Sequence, residues 1–278
     1  MKRLTTLLTV ILISTGMVYA QSNTAAVDQN GDNQTANATQ VGSTNDIDID
    51  QLSDNTGPQN ATALQTGAGN SATIDQSQTG GGNTGTNNAY IEQLGDGNIS
   101  TQTQVAPGYN GGQKVWGLQD GTANQLTQTI SGGYTNSLRA EQYGTENIAT
   151  QSANGPYADG NVYQDGTANV ADQTLTGSNN GYGGAIMLIN QLGTENYASQ
   201  TFAGSGLGHS NNGEIYQDGF DNDAWQDGSG RNLNSVLTQT GDLNMSMQTQ
   251  TGNDHSSVVT QMGNNNSSTV NQSSGSGS

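Results

Sequence analysis

Residues 65–70 read Gln65-Thr66-Gly67-Ala68-Gly69-Asn70, and the Gln, Gly and Asn of this stretch recur at the same intervals ten times along the chain. Each unit has Gln at position 0, Gly at +2 and Asn at +5, and successive units begin 22 to 28 residues apart. This period is typical of solenoids, in which each unit buries its faces only against its neighbours. The function is therefore expected to lie in the stack rather than in one unit.

Alignment of the ten units gives three columns of residues with structural roles. The ladder glutamines at position 0 are Gln40, Gln65, Gln93, Gln119, Gln142, Gln164, Gln191, Gln217, Gln239 and Gln261. The turn glycines at +2 are Gly42, Gly67, Gly95, Gly121, Gly144, Gly166, Gly193, Gly219, Gly241 and Gly263. The ladder asparagines at +5 are Asn45, Asn70, Asn98, Asn124, Asn147, Asn169, Asn196, Asn222, Asn244 and Asn266. A weaker unit, Gln29 with Gly31, precedes them.

Each unit is predicted to form two short strands joined by a fixed turn. The first strand is expected to run from −6 to 0 and the second from +5 to +11. The four residues between them form the turn, where Gly supplies a positive φ. The connection to the next unit varies in length, and all three prolines lie in it: Pro58, Pro107 and Pro156. Since proline cannot donate a ladder hydrogen bond, this placement supports the strand bounds.

One face of these strands is predicted to be the interior. Positions −6, −4, −2, 0, +5, +7, +9 and +11 share a face, and none of the 80 residues that they hold in ten units is Asp, Glu, Lys or Arg. Amides stacked about 4.8 Å apart can use both donor and acceptor, which offsets the cost of burying them. Carboxylates at that spacing would repel by roughly 3.5 kcal/mol at an effective dielectric of 20. The predicted fold class is all-β: a β-solenoid of about ten strand-turn-strand rungs in a cross-β arrangement.

The N-terminus predicts export. Lys2 and Arg3 precede an apolar run, Leu7 to Ile13, and Val18-Tyr19-Ala20 fits a signal-peptidase site. The run is shorter than the roughly 20 residues of a membrane span, so no membrane span is expected. The predicted domains are a signal peptide at 1–20, a short segment at 21–28, the repeat solenoid at 29–272 and a flexible Ser/Gly tail at 273–278.

The amino-acid composition limits which binding partners and which chemistry are expected for this chain. Removal of the signal peptide leaves 3 basic and 23 acidic residues, a net charge of −20, so neither nucleic acid nor anionic membrane is an expected partner. The chain has no Cys and therefore no disulfides. Its two histidines, His209 and His255, fall in a variable loop and at an inward −6 position. We expect no enzyme activity, no catalytic residue, no cofactor and no metal site, although Asp46, Asp48 and Asp50 alternate on one outer face.

The units resemble the curlin repeat of the curli family, the secreted subunits of bacterial amyloid fibres. The stretch from Gln65 to Ala72, followed by Gln76, has the Gln, Gly, Asn, small residue and Gln of that repeat. The resemblance covers about Gln29 to Gln272. It implies a secreted, cell-surface fibre that contributes to biofilm matrix, adhesion and aggregation, together with dedicated secretion and nucleation proteins. The Ser usual at −6 in that family is mostly Asn or Gln in this chain.

The ends of the array predict self-assembly. The last strand, Asn266 to Gln272, contains no charge and no proline, and neither end has a polar cap. Such ends should accept another copy head-to-tail, which grows an open homopolymer. Two alternatives stay open. The chain could be a nucleator or minor subunit of another fibre, or an ice-binding solenoid, since outward Thr-x-Thr pairs occur at Thr101 and Thr103 and at Thr127 and Thr129.

Overall fold

The computed structural model describes residues 22–54, 57–79, 85–107, 112–132, 135–177, 187–204 and 211–274. The predicted signal peptide and His209 lie outside these residues. The described strands are β1 (Thr24–Asn30), β2 (Gln34–Ser43), β3 (Asp46–Ser53), β4 (Gln59–Ala68), β5 (Ser71–Thr79), β6 (Asn87–Asp96), β7 (Ile99–Pro107), β8 (Lys114–Thr122), β9 (Gln125–Ser131), β10 (Ser137–Thr145), β11 (Ile148–Asn154), β12 (Asp159–Thr167), β13 (Val170–Gly177), β14 (Met187–Thr194), β15 (Tyr197–Gly204), β16 (Asn212–Phe220), β17 (Asp223–Arg231), β18 (Asn234–Thr240), β19 (Met245–Asn253), β20 (Ser256–Met262) and β21 (Ser267–Ser273).

The strands form two parallel sheets that face each other. The odd-numbered strands follow one another in an 11-stranded sheet, and the even-numbered strands form a 10-stranded sheet. Each strand pairs with the strand two further along the chain, so the chain crosses between the sheets at every turn. This confirms the all-β solenoid: one leading strand, β1, and ten strand pairs. No helix in the described part of the chain is long and apolar enough to cross a membrane.

The strand bounds differ from the prediction at the fixed turn. In eight of the ten units the first strand continues through the Gly at +2 and ends at +3, as in β10, whereas β18 and β20 end at +1. The second strand begins at +6, as in β11. The reversal lies at +4, where non-glycine residues take the left-handed conformation, for example Glu146 with φ 57° and Glu195 with φ 56°. The turn is shorter than predicted because backbone pairing between glycines of successive rungs extends the sheet past the Gln.

One proline also departs from the prediction. Pro107 is the last residue of β7 and pairs in register with Thr79, rather than lying between strands. A strand end tolerates proline because it needs only one side of the ladder. Pro58 and Pro156 lie between strands.

The sequence assigned Gln29 of the weak unit to the wrong position of the repeat. Gln29 pairs in register with Gln51, which stands at +11, and not with Gln40. Strand β1 is therefore the second strand of a unit whose first strand is not among the described residues. It begins at Thr24, within the 21–28 segment that the sequence left outside the solenoid. The mistake arose because Gln and Gly are also spaced by two at +11 and +13.

Burial follows the predicted parity. In β12, for example, Gly160, Val162 and Gln164 are buried while the alternate residues are more exposed. The apolar part of the interior forms three groups, of which the largest joins Leu126, Ala149 and other residues at −2 and +7 over seven rungs. The remainder of the interior is mostly amide, with a few buried hydroxyls such as Ser100 and Ser246.

Candidate functional site

The position-0 glutamines form one continuous ladder between the two sheets. Each Gln donates from Nε2 to Oε1 of the Gln in the next rung, from Gln40 through to Gln261, with N to O distances of 2.8 to 3.0 Å. The glutamines from Gln65 to Gln239 are at most 1% exposed. The donors therefore all point toward the C-terminal end of the stack.

The second Nε2 proton of each Gln joins the two sheets. Gln164 donates to the Ile148 backbone carbonyl on the opposite strand at 3.0 Å, and Gln239 donates to the Asp223 carbonyl at 2.9 Å. The ladder amides thus use both protons and the carbonyl, as a buried amide must to avoid a desolvation cost. This crosslink explains how a narrow interior with little apolar volume keeps its two sheets together.

The +5 asparagines form a second ladder with the opposite polarity. Asn147 Nδ2 donates back to Asn124 Oδ1 at 3.1 Å, and its own Oδ1 accepts from the backbone N and the Nδ2 of Asn169, both at 3.1 Å. The same Nδ2 reaches forward to the Gly166 carbonyl at 3.0 Å and to the Tyr143 carbonyl at 2.9 Å. Asn thereby holds the turn of its own rung against both neighbours.

The +2 glycines are required by contact as well as by backbone conformation. A Cβ on Gly144, whose φ is 100°, would stand 2.1 Å from the Gly166 carbonyl oxygen. The same clash with the next Gly carbonyl, at 1.8 to 2.4 Å, recurs from Gly42 to Gly241. Gly263, in the last rung, has only the Asn266 Nδ2 within 4 Å, so its contact surface is open.

Two further Gln columns form amide ladders. The sequence reasoning predicted inward, stacked Gln at +9 in seven consecutive units but missed the ladder at +11. At +11, Gln29, Gln51, Gln76 and Gln104 are hydrogen-bonded in series, and the same column resumes with Gln250 and Gln272. In the middle rungs the ladder moves to +9, from Gln102 to Gln248, while Ile130, Leu175 and Phe202 fill +11. The signal was present as the 11-residue spacing from Gln40 to Gln51.

The −6 amides repeat the geometry of the +5 asparagines. Asn136 Nδ2 donates to the Gly132 and Gly155 carbonyls at 3.0 and 2.9 Å, and its Oδ1 accepts from the Ala158 backbone N at 2.8 Å. His255 stands in this column, and its Nε2 lies 3.0 Å from the Thr251 carbonyl, the contact that Asn136 makes four residues back. The ring thus takes the place of an amide.

Aromatic residues stack along the outside. Tyr90 and Trp116 are parallel with centroids 6.0 Å apart, and the Arg139 guanidinium lies 4.6 Å from the Trp116 ring centroid. Tyr197 packs against Trp225 with ring centroids 5.7 Å apart and the ring planes tilted by 47°. Partial burial, with the hydrogen bond to Glu92, raises the pKa of Tyr90 to about 12. These outward aromatics bind one another along the stack.

Two other columns of outward-facing side chains are relevant to ice binding and to metal binding. Thr101, Thr127 and Thr150 are aligned on consecutive rungs, but the next residue of the column is Asp172. Near the N-terminal end, partial burial and repulsion from Asp50 and then Asp46 raise the pKa of Asp48. Within the described ranges, no group of three or more His, Asp or Glu side chains is arranged to hold a metal.

The two ends of the stack expose complementary halves of the ladders. At the N-terminal end, Gln29 and Gln40 donate into the stack and turn Oε1 outward. At the C-terminal end, Gln261 accepts from Gln239 and Gln272 accepts from Gln250, each with one Nε2 proton used on a backbone carbonyl and one left for a further rung. We call these the acceptor face (β1 and β2) and the donor face (β20 and β21).

The asparagine ladder is also complementary at its two ends, but with the opposite polarity: its free acceptor lies at the C-terminal end of the stack. Asn266 donates back to Asn244 Oδ1 at 2.8 Å, and its own Oδ1 has no following Asn among the described residues. At the other end, Asn23 Oδ1 accepts from the Asn45 backbone N at 3.0 Å. Donor face and acceptor face can therefore continue each other's ladders, whereas two copies of one face cannot.

Among known protein families, the curlin associated repeat matches residues 20–52. This segment of the chain is similar to a curlin repeat. The matched segment contains β1, β2 and most of β3, and with them the first full set of Gln40, Gly42 and Asn45. The same curlin-repeat positions and hydrogen bonds continue to Gln261 and Asn266. A search of curated proteins found no match to this chain.

Proposed function

We propose that the chain is the structural subunit of a secreted, curli-like amyloid fibre, which grows by adding copies head-to-tail on the cell surface. The observation that carries the proposal is the complementarity of the donor and acceptor faces. A copy added in this orientation extends the Gln ladders with the contacts already present between rungs. Fibres of this kind would contribute to biofilm matrix, adhesion and aggregation.

Three further features support a fibre subunit. The interior contains ladder amides and small apolar residues, so its stability grows with each added rung rather than with a closed core. Exposed apolar side chains gather near the donor face, among them Val258 at 68% and Met262 at 76%. The net charge of −20 after signal removal would oppose unspecific association in solution.

The test is assembly of the purified mature chain alone. We expect unbranched filaments with a diffraction spacing near 4.8 Å along the fibre axis. Preformed fragments should abolish the lag phase, as expected for a main subunit. A chain that stays soluble but seeds another fibre protein would instead be a nucleator, and thermal hysteresis without filaments would favour the ice-binding alternative.

A variant of the donor face tests the direction of growth. Ser268 Oγ lies 2.8 Å from Ser246 Oγ, and Val270 packs against the apolar core, so both point inward. The double variant Ser268→Lys with Val270→Pro places a charge and a missing N–H in the last strand. It should join a fibre through its intact acceptor face and then block that end, so that filaments shorten as its fraction rises.

The control is Thr269→Lys, which puts the same charge on the exposed side of the same strand. Filament lengths measured by electron microscopy should change little with this variant. If the double variant is incorporated along the fibre with no effect on length, growth does not use β21 and the head-to-tail proposal fails.

A further inference from the structure

Near both ends of the stack, the two halves of a rung obey one hydrogen-bonding rule. Gln261, in a first strand, donates Nε2 to the backbone carbonyl 16 residues earlier, Met245, at 3.0 Å. Gln272, in a second strand, donates to the carbonyl 16 residues earlier, Ser256, at 2.8 Å. The same offset holds at Gln40, Gln51, Gln76, Gln104, Gln164, Gln239 and Gln250. The structural unit is therefore an 11-residue half-repeat.

The turns at both ends of the stack follow the same half-repeat. In the first turn Gly42 has φ 115° and Thr44 has φ 56°, and in the turn that follows β1, Gly31 has φ 128° and Asn33 has φ 58°. At the other end, Gly252 and Asp254 repeat these values at 116° and 58°. A half-turn about the stack axis, with a rise of half a rung, therefore superposes one strand type on the other near both ends.

The described strands number 21, which is odd, because the first-strand partner of β1 is not among the described residues. That partner would occupy residues 12–21 in the repeat, which coincide almost entirely with the predicted signal peptide. If a second copy is added without rotation, its β1 follows β21, and the even-numbered sheet misses one strand at the junction. There, β20 and the new β2 would stand roughly 9.6 Å apart instead of about 4.8 Å, with unpaired N–H and C=O groups between them.

We propose that successive copies are related by a half-turn about the fibre axis, so that β1 of each copy pairs with β20 of the previous copy and β2 pairs with β21. This inference rests on the proposed fibre function and specifies its junction. The even-numbered sheet of one copy then continues as the odd-numbered sheet of the next. No strand is missing, and no hydrogen-bonded edge is left unpaired inside the fibre.

The residues that meet at such a junction match in type. Across β20 and the added β1, the inward pairs are His255 with Asn23, Ser257 with Ala25, Val259 with Val27, Gln261 with Gln29 and Gly263 with Gly31. Across β21 and the added β2, they are Asn266 with Gln34, Ser268 with Ala36, Val270 with Ala38, Gln272 with Gln40 and Ser274 with Gly42. In each pair, an amide side chain lies against another amide or an imidazole, or a small or apolar residue lies against another small or apolar residue.

Two Gln ladders would cross this junction unbroken. Gln261 and Gln272 present Nε2 donors, and the added Gln29 and Gln40 present Oε1 acceptors.

Engineered cysteines can report which strands meet, because the chain has none of its own. Ala26, Asn37, Val258 and Thr269 are exposed, one on each of the four end strands. Residues on adjacent parallel strands in register are about 4.8 Å apart at Cα, within the range for a disulfide. Within one copy the two ends are separated by roughly 50 Å, so any disulfide must join two copies.

The experiment compares double variants that are assembled under reducing conditions, oxidised and separated on denaturing gels without reductant. The half-turn predicts covalent ladders of oligomers for Ala26→Cys with Val258→Cys and for Asn37→Cys with Thr269→Cys. Each single variant is the control for disulfides between laterally packed fibres, and should give at most dimers.

Other pairings would overturn the half-turn. A ladder for Ala26→Cys with Thr269→Cys means an unrotated junction with a missing strand, and one for Asn37→Cys with Val258→Cys means that β1 is displaced. In both cases the head-to-tail fibre itself survives. If the cysteine-free chain forms no filaments, the fibre proposal falls and the half-turn falls with it. Helical reconstruction gives a second readout, with an expected rotation near a half-turn, plus the twist of the solenoid, per rise of roughly 50 Å.

Discussion

Replacement of Asn147 by Asp should weaken the stack at one defined rung. The side chain is fully buried, and its Nδ2 contacts three acceptors: Asn124 Oδ1 at 3.1 Å, the Tyr143 carbonyl at 2.9 Å and the Gly166 carbonyl at 3.0 Å. Asp keeps the shape and the acceptor contacts to Asn169 but removes the donor group. At neutral pH a carboxylate oxygen would then face these acceptors.

The expected loss is at least about 3 kcal/mol at pH 7, since each buried polar group left without a partner costs about 1–3 kcal/mol. That is a large part of the roughly 5–15 kcal/mol by which a domain is stable. The loss should shrink near pH 4, because a protonated carboxyl can again donate one hydrogen bond. Urea unfolding at low protein concentration, followed by circular dichroism at both pH values, measures the difference.

The matched control is Asn154→Asp in the same rung. Asn154 is exposed, and its register partners, Ser131 and Thr176, carry no charge. Its substitution should cost less than about 0.5 kcal/mol, as for an ordinary surface position. Equal effects at residues 147 and 154 would refute the reasoning, because the cost would then come from the added charge and not from the broken ladder.

Three further predictions follow from the contacts. Gly144→Ala, whose Cβ would meet the Gly166 carbonyl oxygen at 2.1 Å, should abolish or greatly slow assembly followed by thioflavin fluorescence, whereas Gly97→Ala, with nothing within 4 Å, should cost only about 1 kcal/mol. Gly228→Leu should destabilise the stack by about 1–3 kcal/mol, because a Cβ there lies 2.4 Å from the Phe202 ring, and Phe202→Ala should partly restore stability in a double-mutant cycle; additive losses would contradict this packing account. Burial raises the pKa of both Asp48 and Asp75 above 3.8, so the folded state binds their protons more tightly than the unfolded state does. Their contribution to the stability of the fold is therefore complete below about pH 3.8 and is lost as the pH rises through their pKa values in the folded state. Thermal unfolding should therefore show a more stable stack at pH 4 than at pH 7, with a smaller difference in the Asp48→Asn, Asp75→Asn variant; an unchanged difference would assign the effect to other groups.

The sequence by itself determined the fold class and the inside of the solenoid. The ten-fold recurrence of Gln, Gly and Asn fixed the unit, and the absence of charge at alternate positions fixed which side chains face inward. Both follow from strict local rules, namely the two-residue period of a strand and the cost of a buried charge, so they can be read from one chain.

Only the tertiary structure decided how the units meet. It showed that the Gly at +2 lies within a strand in eight of the ten units and packs against the next Gly carbonyl, a contact between residues 22 to 28 positions apart. It also placed Gln29 at +11 rather than at position 0, although the local sequence fits both. Register between rungs depends on the pairing of whole strands. The local spacing of Gln and Gly occurs in both strands of a rung, so it could not show which of the two strands contains Gln29.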